Sequence, residues 1–162
     1  MEIKQLNTNQ LRQLISSVSI GVEMDFCVGS IPPMHVLNRS VQHTKSGKNE
    51  MWALPYMMLF HNHVVGFCGF KGEPIAGEVE IGYNVAEKQQ GRGLAKSAVN
   101  KLCKVAFNSG LVENIVALIS STNVASLNVV KANNFVFTGK VVDDDNEKLE
   151  KWVLNLNKAS FA

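Results

Sequence analysis

Glu80-Ile81-Gly82-Tyr83-Asn84-Val85-Ala86-Glu87-Lys88-Gln89-Gln90-Gly91-Arg92-Gly93-Leu94-Ala95-Lys96-Ser97 is the stretch from which the rest of the chain can be read. Residues 78–85 alternate charged and apolar side chains, the period of a strand with one buried face. Past the glycines the period changes. Leu94, Ala95, Ala98, Val99, Leu102, Val105 and Ala106 make an apolar stripe, with Lys96, Asn100, Lys101, Lys104 and Asn108 outside it, so a helix is predicted over roughly 92–108. Gly110 is a natural stop. The first N–H groups of a helix have no internal partner, and the helix dipole favours negative charge there. Glycines let a ligand come close to the main chain, so this turn reads as a phosphate or pyrophosphate site. Lys88, Arg92 and Lys96 add positive charge at its rim.

Two phosphate-binding patterns fail here. The P-loop spacing GxxxxGK[ST] is not supplied. Gly91-Arg92-Gly93 begins a dinucleotide fingerprint, but Lys96 stands where the third glycine belongs. Glu113, at about the distance of a ribose-binding acid, precedes a strand rather than ending one.

Working outward, residues 2–6 suggest a short strand. Leu11, Leu14, Ile15 and Val18 fall at helical spacing after Asn7 and Thr8, either of which can cap the start. Residues 20–50 are the least readable, with Pro32 and Pro33 interrupting them, a short helix suggested beyond, and a polar loop at Lys45 to Asn49. Trp52 to Phe60 and Val64 to Phe70 are apolar and aromatic, joined at His61-Asn62-His63 by a hairpin turn. A loop with Gly72, Pro74 and Gly77 leads into residues 78–85. Ile115 to Ile119 reads as a buried strand. A helix then opens at Asn123, with Ser121 and Thr122 as further caps, and runs to about Lys131. Strands near 135–142 and 149–156 flank the acidic turn Asp143 to Asp145. The order predicts a mixed α/β sheet of the α+β type, with helices on both faces.

Gln90-Gly91-Arg92-Gly93-Leu94-Ala95 matches a Q/R-x-x-G-x-G/A signature. About thirty residues on, Asn123-Val124-Ala125-Ser126 begins an N-x-x-S/A helix running into Lys131-Ala132-Asn133-Asn134-Phe135. Together they resemble the two signatures of the GNAT superfamily of acetyl-CoA-dependent N-acetyltransferases. The resemblance covers residues 51–156 well and 1–50 in general layout. Asn134 stands where the family usually has glycine, and asparagine is the next residue most tolerant of a left-handed turn.

The resemblance implies one domain over 1–162, with a strongly twisted mixed sheet of six to seven strands and a splayed cleft between the fourth and fifth. Acetyl-CoA is the implied co-substrate. Its pyrophosphate would sit on the turn formed by Gln90, Gly91, Arg92, Gly93, Leu94 and Ala95, with Lys96 and Ser97 alongside. Its pantetheine arm would pair with Tyr83, Asn84 and Val85; Asn123 would reach the arm, and Ser126 would lie near the thioester sulfur. The acceptor amine attacks directly, so Cys68 and Cys103 are read as core thiols. A primary amine has a pKa near ~10 and must lose a proton first, which calls for a base. Glu80 matches the family's glutamate position and Glu78 is the reserve, acting through water; both also read as solvated strand carboxylates. A main-chain N–H near Tyr83 or Asn84 would stabilise the oxyanion. Many relatives carry a tyrosine acid seven residues after the helix asparagine, where this chain has Val130. The acid role stays open among Ser126, water, Tyr83 and no dedicated acid. The implied acceptor is a primary amine on a small molecule or a protein N-terminus, and family members often dimerise through their last strands. A second reading, favoured by Val130, is a CoA-binding regulatory or interaction module without turnover.

Composition agrees with a globular protein: 162 residues, 46% hydrophobic and 19% charged. A net charge of +2 is too small to argue for nucleic acid, where a basic face or a far higher pI would be expected. Cys27, Cys68 and Cys103 show no paired spacing, the pattern of reduced thiols in a cytoplasmic protein. Residues 1–7 lack the apolar run of a signal peptide, and no segment approaches the ~20 apolar residues of a membrane span, so no membrane partner is expected. His61 and His63 lack a third ligand and read as a turn, so no metal is expected. His35 and His43 either face the acceptor or lie on the surface. Trp52, Pro55 and Tyr56 form a W-x-x-P-Y run similar to one in a bacterial small-acceptor branch of the superfamily, or simply pack the core.

Overall fold

The computed structural model describes residues 1–16 and 25–161; Val18 of the anticipated first helix and residues 20–24 lie outside them. The chain begins with strand β1 (Glu2–Gln5) and helix α1 (Thr8–Ile15). Asn7 closes a capping box on α1: its side chain accepts from the Gln10 N–H, while the Gln10 side chain accepts from the Asn7 N–H. A two-residue strand β2 (Asp25–Phe26) was not legible in the sequence. Helix α2 (Met34–Lys45) follows Pro33, and its twelve residues make it longer than the short helix anticipated there. Residues 52–54, part of the apolar run, are not strand. Trp52 lies in a helical turn α3 (Glu50–Ala53) capped by Asn49, and strand β3 (Tyr56–Phe60) starts after Pro55.

Strands β4 (His63–Phe70) and β5 (Glu78–Val85) complete the first half. His61 and Asn62 between β3 and β4 both have positive φ, 49° and 61°, as a tight two-residue hairpin turn requires. Helix α4 (Leu94–Asn108), strand β6 (Asn114–Ser120), helix α5 (Val124–Ala132), and strands β7 (Val136–Val142) and β8 (Lys148–Asn155) follow. Helix α4 starts two residues later than the spacing suggested. Gly91 and Gly93 both sit at φ 74°, a left-handed conformation that costs other residues about 1–2 kcal/mol and that no helix continues through. Asn134 takes φ 64° at the end of α5, as anticipated for a residue replacing glycine.

The sheet has eight strands, ordered β1-β3-β4-β5-β6-β8-β7, with β2 beside β4. Because β2 adds one, the anticipated fourth and fifth strands are β5 and β6. Helices cover both faces. Val79, Ile81, Ala98, Val99, Leu102 and Ile115 are buried in a core containing α4, and Leu6, Leu11, Leu37, Met57 and Phe67 in another containing α1 and α2.

The feature that positions the site is a division of this sheet. Parallel pairing of β5 with β6 covers Glu78–Asn114, Val79–Ile115 and Glu80–Val116, and then stops. Past that point β5 stays paired with β4 through Val85, while β6 stays paired with β8 through Ser120. Each strand keeps its outer neighbour, so the sheet opens as a wedge instead of fraying, and one edge of Ile81 to Val85 is left unpaired.

Gly66 holds the β4 side of that wedge. A Cβ built on it would lie 2.1 Å from the main-chain oxygen of Asn84. A methyl group there must push the end of β5 aside, so Gly66→Ala is expected to lose about 1–3 kcal/mol of stability in urea unfolding. Unchanged stability would mean that β5 does not press on β4 there.

Candidate functional site

Below the wedge, β5 gives way to a turn of 3-10 helix (Glu87–Gln89), and the Gln90 side chain folds back to donate to the Val85 carbonyl at 3.2 Å. The first hydrogen bond of α4 runs from the Ser97 N–H to the Gly93 carbonyl, 3.0 Å. Among the described residues, the N–H groups of Gly91, Arg92, Gly93, Leu94, Ala95 and Lys96 have no protein acceptor, and Gly93 caps α4 without a side chain. A Cβ built on Gly91 or Gly93 meets nothing within 4 Å, so the main chain there borders open space. Six successive free amides at the head of a fifteen-residue helix form a concavity suited to an anion.

This turn is one wall of a cleft of about 550 Å³. Of the residues singled out in the sequence, Tyr83, Asn84, Val85, Gln90, Gly91, Gly93, Leu94, Ala95, Lys96, Asn123 and Ser126 line it. Arg92 and Ser97 do not. The Arg92 guanidinium lies 5.0 Å from the centre of the Phe60 ring and donates to Gln89 Oε1 at 2.5 Å. Ser97 is already in the first turn of α4. The opposite wall was missed: Ala125, Asn128, Val129 and Ala132 of α5, at spacings of three, four and seven, present one helix face to the cleft. That periodicity was visible in the sequence, but nothing there said that the face borders a cleft and not the core.

A second cavity, of about 350 Å³, lies on the α2 side and is lined by His35, Arg39, Ser40, Phe70 and Lys71 among others. Tyr83, Asn84, Asn123 and Ser126 line both cavities, so these four mark where the two meet. Hydrogen bonds fix this waist. The Tyr83 hydroxyl donates to the Ser126 carbonyl at 3.0 Å, tying β5 to α5 across the opening. Asn84 Nδ2 donates to the Ser30 carbonyl at 2.7 Å, and Asn123 Oδ1 accepts from the Ser126 N–H at 3.1 Å. Burial pushes the Tyr83 hydroxyl up to about 12, so it keeps its proton throughout the neutral range.

The two carboxylates part company. Glu80 is the last β5 residue paired with β6, at the crotch of the wedge, and its carboxylate forms an ion pair with Lys71 of the neighbouring segment. Glu78 pairs with Lys151 of β8 at 3.3 Å, two residues farther into the closed part of the sheet. Neither side chain lines either of these two cavities.

Cys68 borders the second cavity, but burial raises its thiol far above the usual range, and Cys103 is pushed up to about 12. Both therefore stay protonated and make poor nucleophiles. His63 Nδ1 lies 2.7 Å from the His61 carbonyl, and no group of three or more potential metal ligands occurs among the described residues. His35 lines the second cavity and His43 does not. Trp52 and Tyr56 pack edge-on against Phe70, at 4.7 and 6.2 Å between ring centres. Val130 is fully buried in the core under α5 and does not face the cleft.

Residues 31–136 match a family model described as an acetyltransferase (GNAT) domain. The uncharacterized N-acetyltransferase p20 of Bacillus licheniformis is 29% identical over 105 residues, a match covering 62% of this chain and 59% of that protein's length. Among solved structures, the aminoglycoside acetyltransferase AAC(6')-Ib in complex with coenzyme A superposes with a TM-score of 0.69 at 18% identity, covering 96% of this chain and 95% of the other. Mycobacterium smegmatis RimJ in complex with CoA-disulfide gives 0.63 at 18% identity, covering 76% and 61%. At these identities the two structures attest the fold.

The cap on α5 is directly testable. Asn123→Ala removes the acceptor for the Ser126 N–H and is expected to cost about 1 kcal/mol, lowering the melting temperature by roughly 2–4 °C. Asn123→Asp, which keeps a capping oxygen, should recover most of that loss. Equal melting of all three proteins would show that the cap is not made.

Proposed function

The chain belongs to the GNAT acetyltransferase family, and from that premise we propose that it transfers an acetyl group from acetyl-CoA to a primary amine. The run of six unpartnered amides at residues 91–96 carries this reading, because a diphosphate supplies the acceptors they lack. Lys96, on the cleft wall, adds charge to the same end. The pantetheine arm then lies along the unpaired edge of Ile81 to Val85, hydrogen-bonded as an extra strand would be, and brings the thioester to the waist. The amine enters from the second cavity. All of this takes place in one domain, working in the cytoplasm.

The reaction needs two substrates brought together more than it needs a protein nucleophile. The amine nitrogen attacks the thioester carbonyl carbon, and the negative charge on its oxygen is met by a main-chain N–H of the open β5 edge. The carbon–sulfur bond then breaks, and the electron pair leaves on the CoA sulfur. Glu80 takes the amine proton through water, giving up its Lys71 partner to do so. Tyr83, protonated and held at the waist, is the best-placed donor to the departing sulfur, the role that Val130 cannot fill from the core. Tyr83 on the cleft wall counts against the alternative of a CoA-binding module without turnover, which Val130 favours. Self-association along β7 belongs to the same proposal: it is an edge strand exposing Val136, Phe137 and Val142.

The test is calorimetric titration with CoA beside a thiol-release assay with acetyl-CoA and a panel of amines. CoA should bind, and amine-dependent release should fall about 100-fold or more in Glu80→Gln with CoA affinity retained. Tyr83→Phe should lower kcat while the KM for acetyl-CoA stays the same. Tight CoA binding with no amine-dependent release across the panel would favour the binding module. No CoA binding would end the proposal.

A further inference from the structure

The second cavity has a charge pattern that neither the mechanism nor the fold accounts for. Arg39 lines it from α2, half-buried, and makes no hydrogen bond or ion pair among the described residues. His35, four residues earlier on the same helix face, lines it as well. Lys71, the other cation on the wall, is already matched by Glu80. No Asp or Glu side chain lines the cavity. Burial lowers the Arg39 pKa from its ordinary value, opposed by the field of Glu80, which is not within ion-pair distance. A half-buried guanidinium with no protein acceptor for its five donors is free to take up a planar anion in the cavity it lines.

We propose that Arg39 anchors a carboxylate on the acceptor, so that the amine acetylated belongs to a small molecule carrying a carboxylate at a distance from it. This rests on the acetyl-transfer reading above, since it takes the second cavity for the acceptor's. The amine end lies at the waist by Tyr83 and Ser126, and the anionic end lies against α2. A volume of about 350 Å³ suits a molecule of amino-acid or dipeptide size. A second ammonium in place of the carboxylate would face Arg39 with like charge and no compensating carboxylate on the wall, so polycationic amines are disfavoured.

The experiment compares acceptors matched in length and differing at the far end: γ-aminobutyrate, its amide and putrescine, with a parallel series built on β-alanine and on ε-aminocaproate. Binding to the CoA-saturated protein is measured by calorimetry, so that turnover is not required, and thiol release is followed alongside. In at least one series the carboxylate should bind at least about tenfold tighter than its amide, and the diamine weakest of the three. Arg39→Gln should abolish that ranking and Arg39→Lys should restore part of it, with CoA affinity unchanged in both; melting curves check that each variant is folded. Absence of the ranking in every series, or its survival in Arg39→Gln, overturns the proposal. Loss of CoA binding in the parent protein would instead strike the acetyl-transfer reading, and the same ranking measured without CoA would then decide the fate of Arg39 by itself.

Discussion

Everything in the site depends on β5 and β6 sharing three residue pairs and no more. A parallel pair buried between layers ordinarily continues for the length of its strands, because each unpaired N–H and C=O buried away from water is costly. Here the loss is limited because, where the two part, each strand stays paired on its outer side, β5 to β4 and β6 to β8. The unpaired inner edges face a cleft rather than the core, where water or a ligand's amides satisfy them. The open edge is thus a row of free main-chain donors and acceptors, whose chemistry does not depend on which side chains adorn it.

The same economy runs through the glycine turn. Gly91 and Gly93 take left-handed φ values, α4 begins immediately after, and the result is a row of donors at the positive end of a helix dipole. Side chains then do secondary work. Gln90 steadies the turn by reaching back to Val85, Tyr83 ties β5 to α5, and Asn133 Nδ2 ties α5 to the Lys96 carbonyl at 3.2 Å. The two cavities meet at Tyr83, Asn84, Asn123 and Ser126, held by the Tyr83–Ser126, Asn84–Ser30 and Asn123–Ser126 bonds, which is the geometry that a direct two-substrate transfer asks for.

The second half of the chain was readable because its signals are local. The stripe of α4, the cap at Asn123 and the left-handed Asn134 are each fixed by neighbours in sequence, and the structure places all three within two residues of expectation. What was misjudged depends on partners far along the chain. Arg92 looked like a rim cation, but Phe60, brought near by the β3–β4 hairpin, draws it away. Glu80 and its reserve Glu78 share one side of β5 by alternation, but Lys71, just past β4, pairs with the first and Lys151 of β8 with the second. The length of α2, the strand β2 and the loose cation Arg39 lie in the segment where prolines break the periodicity; β2 is fixed by its pairing with β4, and Arg39 by a cavity that no spacing announces.

The proposed transfer requires main-chain amides at residues 91–96 to receive the diphosphate of coenzyme A. Amide-resolved NMR of the labelled protein, titrated with CoA and separately with pantetheine, which lacks the diphosphate, addresses this directly. CoA is expected to move the N–H resonances of Gly91 to Lys96 strongly downfield, as new acceptors would, while pantetheine leaves them in place and perturbs Ile81 to Val85. Saturation with CoA that shifts residues elsewhere and leaves these six amides unmoved would contradict the proposed transfer.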